Sequence, residues 1–373
     1  MNIRLIAILV VAILLAHAVL IHLLLRTDSM AAASAQKKAL AEQQQKNDDF
    51  LSNIPPEGTN PADDFGQDQA PGETGAADVR PGIPPVRGES AQKKNGSLDF
   101  SRAVRGKIPG VSGLADSASG ILVDLNTNRV LWEKNSSQAY PIASMSKLMT
   151  MLIAYEKATD GTLPGGMDTK ISVTREAAQV PPSRVYLMVG ETFTLRELMT
   201  ASAVKSANDA AWLIGQYIGG GKIDTFVDMM NKRAAELGMK NTVFFNPHGL
   251  SGAVKSKDNR SSAADMVLLC SEFMRHKTLC DLTSLRSADF RKPSEKGYLK
   301  LYNHNNLLPG AKFATKGVTG LKTGFTNRAG FCLAVSCSRN GRNLLAIVTG
   351  FPDLKGRDTF ARSLLEWGYK QKP

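Results

Sequence analysis

The sequence predicts a mixed α/β (α+β) domain, in which both ends of the domain form one antiparallel sheet, helices pack on that sheet and a helical lobe is inserted. Three observations predict this class: a pair of short strands near residue 120, a block of amphipathic helices in the middle, and a second strand pair near the C-terminus. An order of strands, helices and strands again favours a sheet completed by both ends of the domain over repeated βαβ units.

The individual elements follow from the spacing of apolar residues. Residues 120–123 and 130–132 are short strands separated by turn-forming residues 126–128. Residues 330–338 and 343–351 are apolar runs on either side of Asn340-Gly341, a dipeptide typical of hairpin turns. Apolar residues recur every three or four positions in the remaining stretches, which predicts helices over 148–157, 195–217, 226–237, 263–273 and 358–369.

Composition and charge exclude several classes of protein. With 43% hydrophobic and 21% charged residues, the 373-residue chain can bury a large core, so a chain disordered throughout is excluded. Four cysteines and 32 glycines without a fixed period exclude a disulfide scaffold, a repeat protein and collagen. The formal net charge of +12 favours anionic surroundings. The basic residues are dispersed and no nucleic-acid-binding motif accompanies them, so no nucleic-acid partner is expected.

The N-terminus contains a long apolar segment. Residues 5–25 carry no charge and are bounded by Arg4 and Arg26. As a helix they would extend roughly 31 Å, about the thickness of the hydrocarbon core of a bilayer. We therefore expect residues 1–26 to be a transmembrane anchor. The alternative is a signal sequence that is cleaved near the small residues 33–35.

Residues 27–107 differ in character from both neighbouring regions. They are rich in Pro, Gly and Gln and contain few aromatic residues, which predicts a disordered linker. We place the catalytic domain at residues 108–373.

A serine and a lysine three residues apart, Ser144 and Lys147, are the first candidates for chemistry. On a helix they would share one face. A lysine can activate a serine hydroxyl only if burial or a neighbouring cation lowers the pKa of its amine. Because Ser-x-x-Lys occurs three more times in the chain, this pattern alone is weak. Ser206-Ala207-Asn208 and Lys322-Thr323-Gly324 follow in order and make it specific.

In this combination the three patterns resemble those of penicillin-binding proteins and serine β-lactamases. More narrowly, residues from about 108 to 370 resemble the low-molecular-mass serine-type D-alanyl-D-alanine carboxypeptidases of bacterial cell walls. Further stretches share this resemblance: residues 206–211, 236–239, 245–250, 303–307 and 320–326. The resemblance implies a β-lactamase/transpeptidase-like fold.

The resemblance also implies three catalytic roles. Ser144 would attack the peptide carbonyl between two D-alanines, Lys147 would take its proton, and Ser206 would relay a proton to the departing amine. An acyl-enzyme would form and then be hydrolysed by water.

Substrate-binding roles follow from the same resemblance. Asn208 would hold the substrate amide and orient the base. Lys322 and Thr323 would bind the terminal carboxylate, and Gly324 would let an edge strand lie close to the substrate. The backbone amide of Phe325 and that of the nucleophile would hold the oxyanion.

The implied function is removal of the terminal D-alanine from peptidoglycan stem peptides that end in D-Ala-D-Ala. The implied partners are these peptides, β-lactam antibiotics as covalent inhibitors, and the membrane through the N-terminal helix. The expected location is the bacterial cytoplasmic membrane, with the catalytic domain periplasmic or otherwise extracytoplasmic, or secreted if the signal is cleaved.

No cofactor or metal is expected, because the histidines and cysteines lack metal-ligand spacing. The cysteines are expected to be free, buried thiols, with Cys332 and Cys337 on opposite faces of one strand. The alternative, open to an extracytoplasmic protein, is that some of them form disulfides.

Ala207 departs from the family pattern, and the three sequence patterns are shared by more than one activity. Ala207 stands where the family usually has glycine and would add a methyl group close to the site, where it could change the substrate fit. A class A β-lactamase would normally have Asp at that position, together with a downstream Glu that activates water. A transpeptidase or endopeptidase of the same fold is also compatible with the three patterns, as is a penicillin-binding scaffold with weak catalysis.

Overall fold

A computed structural model describes residues 97–108, 110–113 and 116–372. The expected N-terminal span at 5–25 and the linker up to residue 96 lie outside the described residues. Within the described ranges, no helix combines the length and the apolar character needed to cross a membrane.

The secondary structure alternates between a sheet and a helical block. The first strands are β1 (Val104–Arg105), β2 (Ser119–Asp124), β3 (Arg129–Lys134) and β4 (Tyr140–Pro141). The middle of the chain contains α1 (Lys147–Thr159), β5 (Lys170–Ser172), α2 (Arg175–Ala178), β6 (Thr192–Thr194), α3 (Leu195–Val204), α4 (Asn208–Ile218), α5 (Ile223–Glu236), β7 (Arg260–Ser261), α6 (Ala263–Met274), α7 (Lys277–Ser284), β8 (Ser287–Phe290) and β9 (Leu299–Tyr302). The last elements are β10 (Val318–Thr326), β11 (Gly330–Arg339), β12 (Arg342–Phe351) and α8 (Leu354–Lys370).

Both ends of the domain build the main sheet, as the sequence predicts. Its six strands have the order β1-β3-β2-β12-β11-β10. Every neighbouring pair is antiparallel except β1 and β3, which are parallel. In the middle of the sheet, β2 pairs with β12, and the Thr349 hydroxyl donates to the Ser119 carbonyl across 230 residues of sequence. Both predicted hairpins, β2–β3 and β11–β12, are confirmed.

Alternating side chains of the sheet face two separate apolar clusters. Ile121 and Ile347 belong to the cluster that joins the sheet to the helical block. Leu122 and Ala346 belong to the cluster beneath α8. The sheet is therefore the middle of three layers, and strands buried on both faces read as continuous apolar runs in the sequence. The four cysteines are free and buried, and Cys332 and Cys337 belong to different clusters, as expected.

The ordered region begins earlier than the sequence predicts. Composition places residues 97–107 in the disordered linker, but β1 lies in this range and pairs with β3. Leu98, Phe100 and Ala103 pack against the apolar cluster next to the helical block. These few apolar side chains are enough to order the segment because the folded domain offers them an apolar surface. The average composition of the segment does not contain this information.

The prediction of one helix over 195–217 is wrong in one respect. This stretch forms two helices, α3 and α4. Between α3 and α4 the chain turns at Ser206, whose φ of 60° is left-handed and ends the first helix. The carbonyl of Lys205 accepts a hydrogen bond from the Ser183 hydroxyl at 2.9 Å, and the amide of Asn208 donates to the Ser183 carbonyl at 2.7 Å. A neighbouring segment therefore binds the backbone groups that a continuous helix would have used. The apolar spacing also does not predict the helix α7 or the short strand pairs β5–β6 and β8–β9.

Candidate active site

Ser144 lies in a single 3₁₀ turn, Ala143–Ser146, immediately before α1. Strand β10 comes very close to this turn at Gly324. A Cβ atom at that glycine would lie 2.8 Å from the Ile142 carbonyl oxygen and 3.2 Å from the Ser144 amide nitrogen. Only glycine allows the strand to lie against the turn that carries the serine.

Lys147, in the first turn of α1, is completely buried. Its amine is within hydrogen-bond distance of three oxygens: Ser144 Oγ at 3.0 Å, Asn208 Oδ1 at 2.7 Å and the His248 carbonyl at 2.8 Å. A protonated lysine has three N–H donors, so the ammonium is fully satisfied here. The structure therefore brings residues 61 and 101 positions away from Lys147 to one nitrogen atom.

The same three contacts suit the neutral amine equally well. Two of the partners, the Asn208 amide oxygen and the His248 carbonyl, can only accept. A neutral amine would donate its two N–H groups to them, which leaves its lone pair for the proton of the Ser144 hydroxyl. This is the arrangement that a general base requires.

The surroundings favour the neutral form of Lys147. Burial lowers the pKa of its amine well below the usual range, and the positive charge of Lys322 lowers it further. The carboxylate of Asp209 acts in the opposite direction. Desolvation is the largest cause, because burial removes the hydration that stabilises the ammonium in water.

Asn208 and Asp209, at the start of α4, hold one wall of the site. The Asn208 side-chain amide donates to the Pro181 carbonyl at 3.1 Å, which fixes the direction of its oxygen toward Lys147. The buried carboxylate of Asp209 accepts hydrogen bonds from the backbone amides of Val185, Leu187 and Ala210. Burial raises the pKa of Asp209, whereas these backbone amides lower it. Sequence reasoning missed this anchoring role of Asp209.

Lys322 and Thr323, on β10, are also buried. The amine of Lys322 donates to the Thr323 carbonyl at 3.1 Å. Burial lowers the pKa of Lys322 to about 7, and the charge of Arg357 contributes to this shift. Arg357, on α8, is itself buried and bound to Asp358 at 2.5 Å. Sequence reasoning missed Arg357 as well. In the sequence it is one of several basic residues of the C-terminal helix, and nothing there indicates that its side chain is buried.

The other two predicted site residues, Ser206 and Phe325, lie just before α4 and on β10. Ser206 is buried in the turn between α3 and α4, and no hydrogen bond among the described residues joins it to Ser144. Phe325 follows Gly324 on β10, is 43% exposed and packs on Phe331 with ring centroids 4.3 Å apart. The three sequence patterns thus meet around Ser144. Lys147 is hydrogen-bonded both to Ser144 and to Asn208.

Ala207 lies between Ser206 and Asn208, next to the site, but its methyl group is not exposed there. Its side chain is fully buried and belongs to the apolar cluster between the sheet and the helical block. Its φ of −59° is an ordinary value for any L-residue. The extra methyl group therefore packs into the core.

His248 contributes its backbone rather than its ring. Burial, together with the charge of Lys147, lowers the pKa of the imidazole to about 3. The neutral ring accepts a hydrogen bond from the Leu250 amide at 3.1 Å. The neighbouring Pro247 carbonyl accepts one from the Thr150 hydroxyl at 2.6 Å, which ties this loop to α1.

One cluster in the described part of the chain has ligands of the kind that metals prefer. It consists of Glu156, Glu272 and His276. Arg233 donates to Glu156 at 2.7 Å and to Glu272 at 3.3 Å. The guanidinium of Arg233 therefore bridges the two carboxylates and offsets part of their charge.

Comparison with known proteins gives a consistent result. Residues 110–352 match the family described as D-alanyl-D-alanine carboxypeptidase. The chain is 34% identical over 277 residues to D-alanyl-D-alanine carboxypeptidase DacF of Bacillus subtilis, covering 74% of this chain and 68% of that one. It is also 34% identical over 253 residues to a D-alanyl-D-alanine endopeptidase of Pseudomonas aeruginosa, covering 65% and 76%. The chain spans about two thirds of the length of the curated carboxypeptidases that it matches.

A solved structure has the same fold. Penicillin-binding protein D2 from Listeria monocytogenes, determined in its ampicillin-bound form, superimposes with a TM-score of 0.59 at 29% identity. The superposition covers 68% of this chain and 98% of the Listeria chain.

Proposed function

Because the chain belongs to the D-alanyl-D-alanine carboxypeptidase family of serine peptidases, we propose that it hydrolyses the last peptide bond of peptidoglycan stem peptides that end in D-Ala-D-Ala. The observation that carries this proposal is the contact of a completely buried lysine with the hydroxyl of Ser144 at 3.0 Å.

In the first half of the reaction, Lys147 takes the proton of Ser144 as the serine oxygen attacks the carbonyl carbon. A bond forms between that oxygen and the carbon. The bond from the carbon to the nitrogen of the terminal D-alanine then breaks. Ser206 relays the proton to the departing amine, and free D-alanine leaves.

In the second half, water hydrolyses the acyl-enzyme. A water molecule gives its proton to Lys147 and attacks the ester carbon. The serine oxygen leaves, recovers the proton, and the shortened peptide is released. One water is consumed for each D-alanine, so the enzyme returns to its starting state.

Binding groups lie along β10 and around the serine. Lys322 and Thr323 would bind the terminal carboxylate, and Asn208 would bind the substrate amide as well as the base. The backbone amides of Ser144 and Phe325 would hold the oxyanion. The close approach of Gly324 to the Ser144 turn supports this assignment, because Phe325 directly follows Gly324 on β10. Removing one such donor typically lowers the rate by about 10²–10³-fold.

β-Lactams would acylate the same serine, as the ampicillin complex of the Listeria relative suggests. The test is intact-mass measurement after incubation with benzylpenicillin. The unaltered chain should gain one covalent adduct and Ser144→Ala should gain none. Ser294→Ala, at an exposed serine, is the matched control and should be acylated normally. An adduct that persists in Ser144→Ala would rule out the assigned nucleophile.

Release of D-alanine from a pentapeptide then separates a carboxypeptidase from the related activities. A chain that is acylated but releases no D-alanine would be a penicillin-binding scaffold. Because one similar protein is an endopeptidase, a cross-linked peptide dimer should be assayed in parallel. Faster cleavage of the dimer would favour that activity, and rapid hydrolysis of benzylpenicillin would favour a β-lactamase.

We also propose that residues 5–25 hold the protein in the bacterial cytoplasmic membrane with the catalytic domain outside the cytoplasm. The support is the length of the uncharged segment and the location of the polymer substrate. Membrane fractionation together with the mass of the mature chain tests this. A soluble chain that begins near residue 36 would indicate a cleaved signal.

A further inference from the structure

The segment between α2 and β6 lies against the residues that hold Lys147. The Pro181 carbonyl accepts a hydrogen bond from the Asn208 side chain at 3.1 Å, and the Ser183 carbonyl accepts one from the Asn208 backbone amide at 2.7 Å. Asn208 in turn accepts a hydrogen bond from Lys147 at 2.7 Å. The position of this segment therefore affects the position of the base.

Two backbone amides farther along the segment bind the buried carboxylate of Asp209, which directly follows Asn208 on α4. Val185 donates to this carboxylate at 3.1 Å and Leu187 at 3.2 Å. Residues 180–190 belong to no helix or strand, so no regular backbone ladder holds them in place. The bonds to α4 fix the start of that helix only if the segment is itself held from its other side.

Arg291, immediately after β8, holds the other side of this segment. Its guanidinium donates to the carbonyls of Val185 at 3.1 Å and Tyr186 at 3.0 Å. It also forms a bidentate pair with Glu191, both bonds at 2.7 Å, and donates to the Gly297 carbonyl at 2.8 Å. All five N–H groups of the guanidinium are thus used.

The guanidinium of Arg291 has one defined position. Its side chain is only 3% exposed and lies over the rings of Phe193 and Phe290, at 5.3 and 4.9 Å from their centroids. The backbone of Arg291 has a left-handed φ of 63°, which is uncommon for a residue other than glycine. Such a conformation persists only where the surrounding contacts determine it. The end of β8 is therefore arranged to present this guanidinium to the segment.

A single peptide group separates the guanidinium of Arg291 from the carboxylate of Asp209. The Tyr186 carbonyl accepts from Arg291 at 3.0 Å, and the Leu187 amide of the same peptide group donates to Asp209 at 3.2 Å. The oxygen of this peptide group thus faces the cation and its N–H faces the anion, so the two hydrogen bonds strengthen each other. Arg291 therefore stabilises the contact that fixes Asp209 and, one residue earlier, Asn208.

We infer that Arg291 is a positioning residue for acylation. It holds the segment between α2 and β6 against Asn208 and Asp209, and Asn208 in turn holds the amine of Lys147 beside the nucleophile. This inference rests on the proposed function. It predicts that loss of the guanidinium slows the acylation step itself and that the loss depends on Asn208.

The test measures acylation by benzylpenicillin over a range of concentrations, which separates the dissociation constant of the first complex from the first-order rate constant of acylation. Arg291→Met keeps the apolar stem and removes the guanidinium. Its acylation rate constant should fall by about 10- to 100-fold, because a misplacement of about 1 Å can cost 10²-fold. The dissociation constant should change less than about threefold, since the lost alignment matters in the transition state. A merely structural role would lower the fraction of acylated molecules and leave the rate constant unchanged.

Arg339→Met is the matched control. Arg339 also pairs with a glutamate, donates to a backbone carbonyl and lies over an aromatic ring, but its partners Glu366 and Tyr369 are on α8. The acylation rate constant of this variant should equal that of the unaltered chain.

A double variant tests the route through Asn208. Adding Arg291→Met to Asn208→Ala should lower the acylation rate constant less than about twofold further, because residues that act through one contact are not additive. Glu191→Gln is a milder variant that weakens the charge-assisted bonds to Arg291 and should lower the constant by about threefold. It keeps the inference testable if circular dichroism shows that Arg291→Met does not fold.

An unchanged acylation rate constant in Glu191→Gln and in folded Arg291→Met would overturn the inference. Equal losses from Arg291→Met with and without the Asn208 side chain would overturn it as well. The readout does not depend on peptide hydrolysis. An unaltered chain that is acylated but releases no D-alanine would therefore contradict the proposed function alone, and an unaltered chain that is not acylated would contradict both.

Discussion

The β11–β12 hairpin and the floor of the active site are buried to the same degree but consist of opposite chemistry. Hairpin residues such as Ile347 and Ala334 are apolar and pack into the cluster next to the helical block. The site floor contains Lys147 and Lys322, two amines without a carboxylate partner among the described residues. Burial of apolar groups stabilises the fold, whereas burial of an amine opposes its charge. The comparison shows that one physical effect, removal from water, supplies both the stability of the sheet and the reactivity of the site.

The largest effect is expected from removing the amine that contacts the nucleophile. Lys147→Met keeps the length of the side chain but supplies no base. Acylation by benzylpenicillin should fall by about 10²–10⁴-fold, the usual contribution of a general base. Stopped-flow kinetics would measure the rate, and circular dichroism would check that the variant is folded. A folded variant with an unchanged rate would show that another group takes the proton.

A substitution in the hairpin should do the reverse, lowering stability without changing the chemistry. Ile347→Ala removes fully buried methylene and methyl groups from β12. The free energy of unfolding should fall by about 2–5 kcal/mol in chemical denaturation. Ile347→Val should cost only about 0.5–1.5 kcal/mol. Both variants should keep the acylation rate at temperatures where they are folded, and a rate loss beyond the unfolded fraction would contradict the separation of the two regions.

The pH dependence of stability should reveal the buried amine of Lys322. Its pKa falls from 10.5 to about 7 on folding, so between these pH values the unfolded chain binds more protons than the folded one. The free energy of unfolding should therefore rise with pH across this window, by on the order of 5 kcal/mol from this group. Below about pH 7 both states are protonated and this contribution is lost.

The matched variant for this effect is Lys322→Met, measured by denaturation at several pH values. The rise between pH 7 and pH 10 should be smaller in the variant. It should not vanish, because the pKa of Lys147 is lowered in the same direction. Identical slopes in the two proteins would contradict a neutral buried amine at position 322.

The smallest effect is expected at Ala207, which lies next to the site but packs into the core. Ala207→Gly should lower the free energy of unfolding by about 1 kcal/mol, through the lost methyl group and the freer unfolded chain. The rates of acylation and D-alanine release should change less than twofold, because the methyl group does not face the substrate. A larger change in the relative rates on different peptides would restore the expectation that this residue shapes the substrate fit.

The hairpins could be predicted from local information, and the meeting of the three sequence patterns from their order along the chain and the family resemblance that it carries. Asn340-Gly341 between two apolar runs specifies a hairpin without reference to the rest of the chain. The break at Ser206 could not, because apolar spacing continues through it and the bonds to Ser183 that stabilise it come from a distant segment. The lowering of the Lys322 pKa by Arg357 could not be predicted from the sequence either, since it depends on how α8 packs beneath the sheet.

The pairing of β2 with β12 has a consequence for folding during synthesis of the chain. Of the two strands at the centre of the sheet, β2 is synthesised early and β12 late. The hydrogen bond between Ser119 and Thr349 cannot form until both have been synthesised. A ribosome-bound chain that stops short of residue 342 contains both the nucleophile and its base but lacks the strand that joins the two halves of the sheet. Reactivity toward penicillin should therefore arise abruptly, once β12 has been synthesised, and should not accumulate as the chain grows.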